Sequence, residues 1–349
     1  MRRYLLALTA VLLVAGCDSG DDEPARVRVM SQNVYLGGDL FTVSSETNPR
    51  LVPVRVAQLY DTIEKSDPAA RMAAIAAEIA RVNPDLVGLQ EVSTYWTQSP
   101  ADNLPGMTPT QATNLTYDFL DLLTDALAAE GASYLVVSQS NNTEVEFPAT
   151  FDGQTFFDVR YRDADVILAR SDVSTGTPTE AAFQALLKIP IGGVEQTFTR
   201  AYQYIPATVD GVDLTFVNTH FEVGGPAEPV QILQSQQLRT VVANLSSPVV
   251  VVGDVNSDGN KGGTSYATLT ADLKDASAVG SAETCCQAAD LRNTTSQLAS
   301  RIDVVLFRGF GRVAEAKAVL NDPSDRVGGI WPSDHAGVWA ELVAGGDDV

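Results

Sequence analysis

Two hydrophobic patterns divide most of the chain into short strands and a few longer helices. In "VRVMSQNVYL", residues 27–36, apolar and polar side chains alternate with a period of two, which predicts a strand. Apolar residues instead recur every three or four positions in residues 66–84, 117–130 and 230–245, which predicts amphipathic helices. The stretch between the first strand and residue 66 shows no regular pattern and is predicted to be irregular.

Further strand predictions make the chain rich in strands. They share short apolar runs with polar ends: "DLVGLQEV", "YLVVSQS", "ADVILAR", "QTFTRAYQYIPATV", "VDLTFVNTHF", "SPVVVVGDVNS", "RIDVVLFR" and "AGVWAEL". Many strands with few covering helices predict a layered α/β sandwich of largely mixed sheets. Because no proline-rich or glycine-serine linker divides the chain after residue 26, residues 27–345 are predicted to form one domain.

The composition indicates a folded, acidic protein. Hydrophobic residues make up 45% and charged residues 19% of the 349 positions, which is typical of globular domains. Acidic residues outnumber basic ones by 44 to 23, so the formal net charge is -21. Tight binding to duplex nucleic acid needs a surface of lysine and arginine, and no basic run occurs beyond the N-terminus. Groove binding to duplex nucleic acid is therefore not expected.

The first 26 residues have the pattern of an export signal followed by a tether. "MRRYLLALTAVLLVAGC" combines two arginines, a short apolar stretch and small residues before Cys17. The stretch is too short to span a bilayer comfortably, and "LVAGC" resembles a bacterial lipobox, in which the cysteine is lipidated. We expect residues 1–16 to be a removed signal peptide and residues 17–26 to be a lipidated cysteine with an acidic tether. The alternative is an ordinary signal cleaved near Ala15, with Cys17 incidental.

Export would place the chain in the bacterial cell envelope, anchored by lipid in the periplasm or at the cell surface. Removal of the signal takes away two arginines, which leaves 21 basic against 44 acidic residues and a formal charge of -23.

The two remaining cysteines are neighbours, Cys285 and Cys286. In an oxidising compartment they can form a vicinal disulfide or stay as thiols. A zinc site is not predicted, because no other cysteine and no nearby histidine in the sequence is available to complete one.

Polar side chains follow the ends of several predicted strands, and they belong to few chemical types. They are Asn33, Glu91, His220, Asp254, Asn256, Asp303, Asp334 and His335. Both histidines of the chain are in this group. Strands that end on carboxylates, amides and imidazoles aim these groups at one rim of a sheet, where catalytic side chains are commonly presented. We therefore expect a single active site.

Each of these residues has an ordinary structural interpretation when taken alone. Asn33 suits a turn, Glu91 a solvated strand end and Asp254 a polar loop. Asp303 can pair with Arg301. The loop "GDVNSDG" lacks the alternating acids and the final glutamate of an EF-hand, so a calcium site of that kind is not expected.

The order of the motifs resembles the endonuclease/exonuclease/phosphatase superfamily of metal-dependent phosphoesterases. The matching motifs, spread over residues 31–338, are "SQNVYLG", "LVGLQEV", "FVNTHFE", "VVVVGDVNSD", "RIDVVLF" and "PSDHAGV". The resemblance implies a four-layer α/β sandwich, in which two central mixed β-sheets are flanked by helices and the site lies in a cleft at their rim. It also implies a hydrolase that acts on phosphoric ester bonds.

The same resemblance implies a metal site. Glu91 would be the main carboxylate ligand of a divalent cation, and Asn33 and Asp334 would help to hold the cation or its waters. Hard oxygen ligands of this kind suit Mg²⁺ or Mn²⁺.

It also implies roles in the chemistry. Asp254 and Asn256 would orient the attacking water and contact the phosphate. His335 would be the base or charge-stabilising imidazole, held in one tautomer by Asp303, and His220 would lie on the phosphate or leaving-group side.

Phosphoester hydrolysis needs an in-line water, neutralised phosphate oxygens and help for the departing oxygen, which a cation and two imidazoles supply. We assign activation of the water jointly to His335 and Asp254. Tyr35 stands where repair-type apurinic endonucleases of the superfamily carry an acid, which argues against DNA repair.

Three arginines are candidates for contacts to the substrate phosphate: Arg160 or Arg162 in "DVRYRDADVIL", and Arg200 in "FTRAYQYI". The alternative is that they are surface residues that balance nearby aspartates.

These observations predict an exported, lipid-anchored, Mg²⁺-dependent phosphoesterase that works by direct attack of water. Its substrate would be a phosphorylated small molecule, lipid or nucleotide. One alternative is a secreted nuclease of the same superfamily, with a local basic cleft on an acidic protein. The other is a catalytically silent surface binding lipoprotein, against which the complete set of acids and histidines argues.

Overall fold

The computed structural model describes residues 24–246, 248–278 and 282–345. The predicted signal peptide, Cys17 and most of the acidic tether lie outside these residues. Within the described part of the chain, no helix is both long and apolar enough to cross a membrane.

The described residues form six α-helices. These are α1 (Phe41–Ser44), α2 (Val52–Lys65), α3 (Pro68–Val82), α4 (Phe119–Ala129), α5 (Glu228–Ala243) and α6 (Thr264–Thr270). Asp67 caps α3 by accepting a hydrogen bond from the Ala70 N–H (3.2 Å), and Pro68 occupies its first turn. The three helices that hydrophobic spacing predicts are confirmed as α3, α4 and α5.

Helix α2 lies in the stretch that the sequence pattern predicts to be irregular, so that prediction is wrong. Its buried face contains Val52, Val56, Tyr60 and Ile63. β-branched and aromatic residues lower helix propensity. Burial of this face in the core, with Pro53 in the first turn, outweighs the propensity.

The described residues also form seventeen strands. In chain order they are β1 (Arg26–Asn33), β2 (Leu86–Gln90), β3 (Thr94–Gln98), β4 (Asn114–Asp118), β5 (Tyr134–Ala149), β6 (Phe157–Arg170), β7 (Ser174–Thr175), β8 (Thr179–Ala182), β9 (Leu187–Ile191), β10 (Val194–Phe198), β11 (Ala201–Val209), β12 (Val212–His220), β13 (Val249–Asp254), β14 (Lys274–Asp275), β15 (Asp303–Arg308), β16 (Arg312–Val319) and β17 (Gly337–Val343).

Most of these strands build two large mixed sheets. In the first sheet the order is β16-β17-β1-β2-β6-β3-β4, with β5 paired to β6. In the second the order is β14-β15-β13-β12-β11-β7, with β8 paired to β11. The pairs β1–β2 and β12–β13 are parallel, whereas β1–β17 and β13–β15 are antiparallel. Strands β9 and β10 form a separate hairpin.

Three hydrophobic cores define four layers. The first core lies between α1–α4 and the first sheet, the second lies between the two sheets, and the third lies between the second sheet and α5 and α6. The four-layer α/β sandwich with two central mixed sheets is therefore confirmed.

The two sheets lie close together near the carboxyl ends of the parallel strands β2, β12 and β13. A Cβ atom on Gly88 of β2 would collide with Val252 and Asn218 of the opposite sheet, so only glycine fits there. The Asn218 side chain accepts a hydrogen bond from Gln90 Nε2 (2.7 Å) and donates to the Leu89 carbonyl (3.0 Å). Because these groups are fully buried, their hydrogen bonds hold the rims of the two sheets in a fixed relation.

The sequence pattern predicts one strand over residues 196–209, but the structure divides it. Strand β10 ends at Phe198 and β11 begins at Ala201. Between them, the Thr199 N–H donates to the Thr143 hydroxyl (2.9 Å) and the Arg200 carbonyl accepts from the Phe183 N–H (2.9 Å). These contacts bend the chain and bring Arg200 to the rim.

Candidate active site

The strand register collects the predicted residues at one rim. His220, the last residue of β12, is paired with Asp254, the last residue of β13, and Asp254 is paired in turn with Asp303, the first residue of β15. In the first sheet, Asn33 at the end of β1 lies beside Gln90, directly before Glu91. Since β17 runs antiparallel to β1, the residues just before β17, Asp334 and His335, arrive at the same rim.

These residues surround a cleft of about 270 Å³. Those of the predicted set that line it are Glu91, Arg200, His220, Asp254, Asn256, Asp334 and His335. Asn33 and Asp303 are fully buried and hydrogen bonded to side chains of this set. Side chains far apart in the sequence are thus brought to one place.

Several positions at the rim have left-handed backbone conformations. Tyr35, Glu91 and Asn256 have φ values of 59°, 59° and 49°, respectively. Gly253 has a φ of 151°, and a Cβ atom there would collide with the Thr219 carbonyl oxygen of β12. Strained backbone of this kind is concentrated at functional sites, where surrounding structure maintains it.

His335 is held by a buried carboxylate. Its Nδ1 lies 2.8 Å from Asp303 Oδ2, so Nε2 faces the cleft. Burial, the largest influence, lowers the pKa of His335, but the charges of Asp303, Asp334 and Asp254 together raise it well above the usual value. The Ser333 hydroxyl accepts from the His335 N–H (3.1 Å) and donates to the carbonyl of β1 at Asn33 (2.7 Å), which ties this loop to the first sheet.

His220 has the opposite charge state. Burial, followed by the positive charge of Arg200 and that of His335, lowers the pKa of His220 well below its usual value, so the ring is neutral. Nδ1 lies 2.9 Å from Arg200 Nη1, and a guanidinium only donates hydrogen bonds. Nδ1 is therefore the acceptor, and the ring proton is on Nε2, which lies 3.5 Å from Asp254 Oδ2.

Three side-chain nitrogens converge on one carboxylate oxygen of Asp254. Its Oδ2 lies 3.5 Å from His220 Nε2, 3.7 Å from His335 Nε2 and 3.2 Å from Asn33 Nδ2. The other oxygen accepts a hydrogen bond from the Asn256 N–H (2.8 Å). Burial raises the pKa of Asp254 to about 7; His335 lowers this value and Asp303 raises it.

The first sheet supplies an acidic wall. Glu91 accepts hydrogen bonds from Asn33 Nδ2 (3.1 Å) and from the Leu36 N–H (2.9 Å). Asp334 Oδ1 is buried with no hydrogen-bond partner among the described residues. Burial raises the pKa of Asp334 to about 7; His335 lowers this value, and the charge of Glu91 raises it. An unpartnered buried carboxylate oxygen beside a second carboxylate fits a hard divalent cation.

A second group of donor atoms also lies close together in the described residues: Asp254, Asp303 and His335 have one ligand atom each within 4.8 Å of one another. Because Asp303 already holds His335 Nδ1, we regard this group as the continuation of the hydrogen-bonded chain rather than as the main cation site.

Arg200 reaches the cleft from between buried acids. Its guanidinium lies 3.3 Å from Asp163 and 3.7 Å from Glu222. Burial lowers the pKa of Arg200, but the charges of Glu222 and Asp163 outweigh it and raise the pKa above the usual value. The alternative interpretation, in which the arginines are surface residues that balance nearby aspartates, does not describe Arg200, because the structure buries Asp163 and Asp165. The sequence signal that could have indicated their burial is the placement of Asp163 and Asp165 two positions apart at the start of an apolar run, which puts both on one face of the strand.

Arg162 does not join the site, which corrects the prediction that it contacts the phosphate. Neighbouring residues of a strand point to opposite faces, so Arg162 faces away from Asp163. It donates to the Thr94 hydroxyl (3.2 Å) and lies over the Trp96 ring, 5.1 Å from its centroid. Arg160 also covers Trp96, at 4.3 Å, and pairs with Glu144.

One wall of the cleft is apolar, and sequence reasoning did not predict it. Leu40 and Phe41 contribute from the start of α1, and Leu187, Ile189 and Phe198 contribute from the β9–β10 hairpin. Phe41 is 56% exposed. A substrate bound at the acidic rim would therefore place part of its structure against apolar side chains.

Comparison with known proteins agrees with this architecture. The chain matches the Endonuclease/Exonuclease/phosphatase family over residues 30–335. No curated protein is similar enough in sequence to count as a match.

Solved structures share the fold at low identity. A truncated TDP2 from Caenorhabditis elegans is 18% identical with a TM-score of 0.51, and the alignment covers 91% of this chain and 98% of that one. A family protein from Leptotrichia buccalis is 16% identical with a TM-score of 0.53, covering 90% and 99%. The mannosyl-6-phosphatase of Bacteroides thetaiotaomicron is 16% identical with a TM-score of 0.50, covering 91% and 99%. At such identities the likeness shows the fold alone.

Proposed function

Because the chain belongs to the endonuclease/exonuclease/phosphatase family, whose members hydrolyse phosphoric ester bonds, we propose that it is a Mg²⁺- or Mn²⁺-dependent phosphoesterase. It cleaves a phosphodiester or phosphomonoester by direct attack of water, without a covalent enzyme intermediate. The observation that carries this proposal is the convergence of both imidazoles and the Asn33 amide on one oxygen of Asp254, beside the acidic wall.

The acidic wall is the proposed cation site. Glu91 and Asp334 supply carboxylate oxygens, and Asn33 orients Glu91 and Asp254 through its amide. When bound, the cation neutralises charge on the phosphate oxygens.

The remaining side chains handle protons and orientation. Asp254 accepts the proton of the attacking water, and the positively charged His335 ring, whose Nε2 lies 3.7 Å from Asp254 Oδ2, stabilises the negative charge that develops on this water. Asp303 holds the His335 ring and stabilises its charged form. His220, neutral and protonated on Nε2, donates to the phosphate or the leaving oxygen, and Arg200 holds it in that tautomer.

The apolar wall favours an ester of an organic alcohol over duplex DNA. A phosphate at the acidic rim would leave its substituent against Leu187, Ile189 and Phe198. The formal charge of -21 disfavours a polyanion in general. A secreted nuclease remains the second candidate, and Arg200 is the cation in the cleft that supports it.

A pair of diesters with one leaving group tests activity, metal dependence and the apolar wall together. The full chain should hydrolyse p-nitrophenyl phenyl phosphate and p-nitrophenyl methyl phosphate with Mg²⁺ or Mn²⁺, and EDTA should stop both reactions. The phenyl ester should have a KM about ten-fold lower, because its ring is removed from water against the apolar wall. Release of p-nitrophenol measures both reactions.

Two variants test whether the apolar wall causes the difference in KM between the two diesters. Leu187→Asn should remove the difference in KM, whereas Leu115→Asn, on an exposed site of β4, should retain it. Hydrolysis that survives EDTA would contradict the metal-dependent mechanism. Absence of hydrolysis with every diester, plasmid DNA and phosphorylated sugar would favour the silent binding lipoprotein instead.

We further propose that the protein is exported and held in the cell envelope by a lipid on Cys17. The support is the arrangement of the basic, apolar and small residues that precede this cysteine. Expression in a bacterial host with radiolabelled palmitate should label the wild-type chain but not Cys17→Ser. Equal labelling of the two chains, or none, would rule out the anchor.

A further inference from the structure

Cys285 and Cys286 lie on the wall of the cleft, directly beside His335. Both line the cleft; Cys285 is 5% exposed, and Cys286 is exposed. The backbone of Cys285 pairs with that of His335 in an antiparallel bridge. The next residue pair continues the contact, because the Gln287 N–H donates to the Asp334 carbonyl (2.9 Å). The cysteine pair is therefore held against the segment that carries the catalytic imidazole.

The three side chains have the donor atoms of a soft-metal site. One ligand atom from each of Cys285, Cys286 and His335 lies within 4.8 Å of the other two. Nδ1 of His335 is engaged by Asp303, which leaves Nε2 as the donor. Two sulfurs and one imidazole nitrogen select Zn²⁺, Cd²⁺ or Cu⁺ over Mg²⁺. A carboxylate on the other ring nitrogen, as Asp303 provides, is the usual support of a metal-bound histidine.

The sequence excludes such a site only because His335 is distant along the chain. The fold removes that objection by supplying the missing nitrogen. Metal binding also requires reduction, because the structure joins Cys285 and Cys286 as a disulfide and only thiolates bind metal strongly.

We propose that reduction of the Cys285–Cys286 disulfide opens an inhibitory site for a soft metal ion, formed by the two thiolates and Nε2 of His335. A dithiol reductant supplies two electrons and two protons; the S–S bond breaks, two thiols form, and the reductant becomes a disulfide. The metal ion then displaces the two thiol protons and the proton on Nε2 and occupies this nitrogen, so His335 can no longer assist the attacking water. The inhibition rests on the proposed phosphoesterase function, whereas the metal site does not.

Cadmium titration of the full chain tests the site without relying on activity. Protein is reduced with dithiothreitol, freed of reductant by anaerobic gel filtration and titrated with Cd²⁺. A sulfur-to-cadmium charge-transfer absorbance should rise to saturation at one equivalent in reduced protein and be absent from oxidised protein. Diester hydrolysis in Mg²⁺ should fall with the same stoichiometry in the reduced protein only.

Three variants assign the donors. Cys285→Ser combined with Cys286→Ser should keep basal hydrolysis, lose the absorbance and resist stoichiometric Cd²⁺. Cys286→Ser alone, at an exposed position, keeps one thiolate and should show about half of the absorbance with weaker Cd²⁺ binding, which provides the test if the double variant does not fold. His335→Ala should keep the absorbance with Cd²⁺ affinity at least about ten-fold weaker.

Each alternative result is decisive. Reduced wild-type protein without the absorbance would overturn the site. Inhibition of the cysteine variants by the same Cd²⁺ concentration would place the effect at the acidic wall instead. Unchanged Cd²⁺ affinity in His335→Ala would remove His335 from the site. If the protein hydrolyses no ester, the absorbance still tests the metal site, and only the proposed activity fails.

Discussion

Replacement of His335 by alanine is expected to lower kcat for diester hydrolysis by about 10³-fold, with little change in KM. The reason is geometric: Nε2 of this ring faces Asp254 at 3.7 Å, and Asp303 fixes the ring from the other side at 2.8 Å. Steady-state kinetics in saturating Mg²⁺ measures the loss. Asp303→Asn should also lower kcat, because an amide cannot stabilise the positively charged imidazole.

Chemical rescue distinguishes a chemical role for His335 from a structural one. The alanine variant leaves a space that opens to the cleft, so added imidazole should restore part of kcat. A thermal unfolding curve close to that of the wild type establishes that the variant is folded. A kcat within about ten-fold of wild type would exclude an essential role of His335 in activating the water.

Replacement of Glu91 by glutamine is expected to lower kcat/KM at fixed Mg²⁺ by at least about 10³-fold, equivalent to a loss of about 4 kcal/mol of transition-state stabilisation. The change removes one negative charge from the acidic wall while keeping the size of the side chain. The concentration of Mg²⁺ or Mn²⁺ that gives half-maximal activity should rise by about 100-fold, because a neutral amide is a poor ligand for a hard cation. Activity measured across a metal titration gives both values.

The matched control is Glu130→Gln, which makes the same chemical change at an exposed position after α4. It should leave the metal titration unchanged. If Glu91→Gln also leaves it unchanged, Glu91 is not a metal ligand, and the cation site must be sought at Asp254 and Asp334 instead.

The composition of the active site was largely predictable from the sequence. Strands with uninterrupted apolar residues, such as "VVVV" in β13, must be buried, and the polar residue at or directly after the end of each one must lie at a rim. Asp254, Glu91 and His220 follow this rule. The common rim is predictable because the carboxyl ends of parallel strands lie together.

Local pattern failed where long-range contacts determine the conformation. Arg200 belongs to a run that alternates as one strand, yet hydrogen bonds to distant residues break the run and direct its side chain between Asp163 and Glu222. Arg162 has equally suitable chemistry but lies on the other face of β6. No feature of either local sequence separates the two arginines, since the face that a strand residue occupies depends on register with its neighbours.

The sequence by itself determined which chemical groups stand at strand ends, and through their order it determined the family and the layered fold. Only the tertiary structure decided which groups share an atom: both imidazoles on Asp254 Oδ2, Arg200 on His220, and the cysteine pair beside His335. The physical reason is the separation along the chain of the residues that each effect involves. Hydrophobic periodicity is a property of a few neighbouring residues, whereas the distances between atoms of a site depend on sheet register and on close packing between layers, as at Gly88.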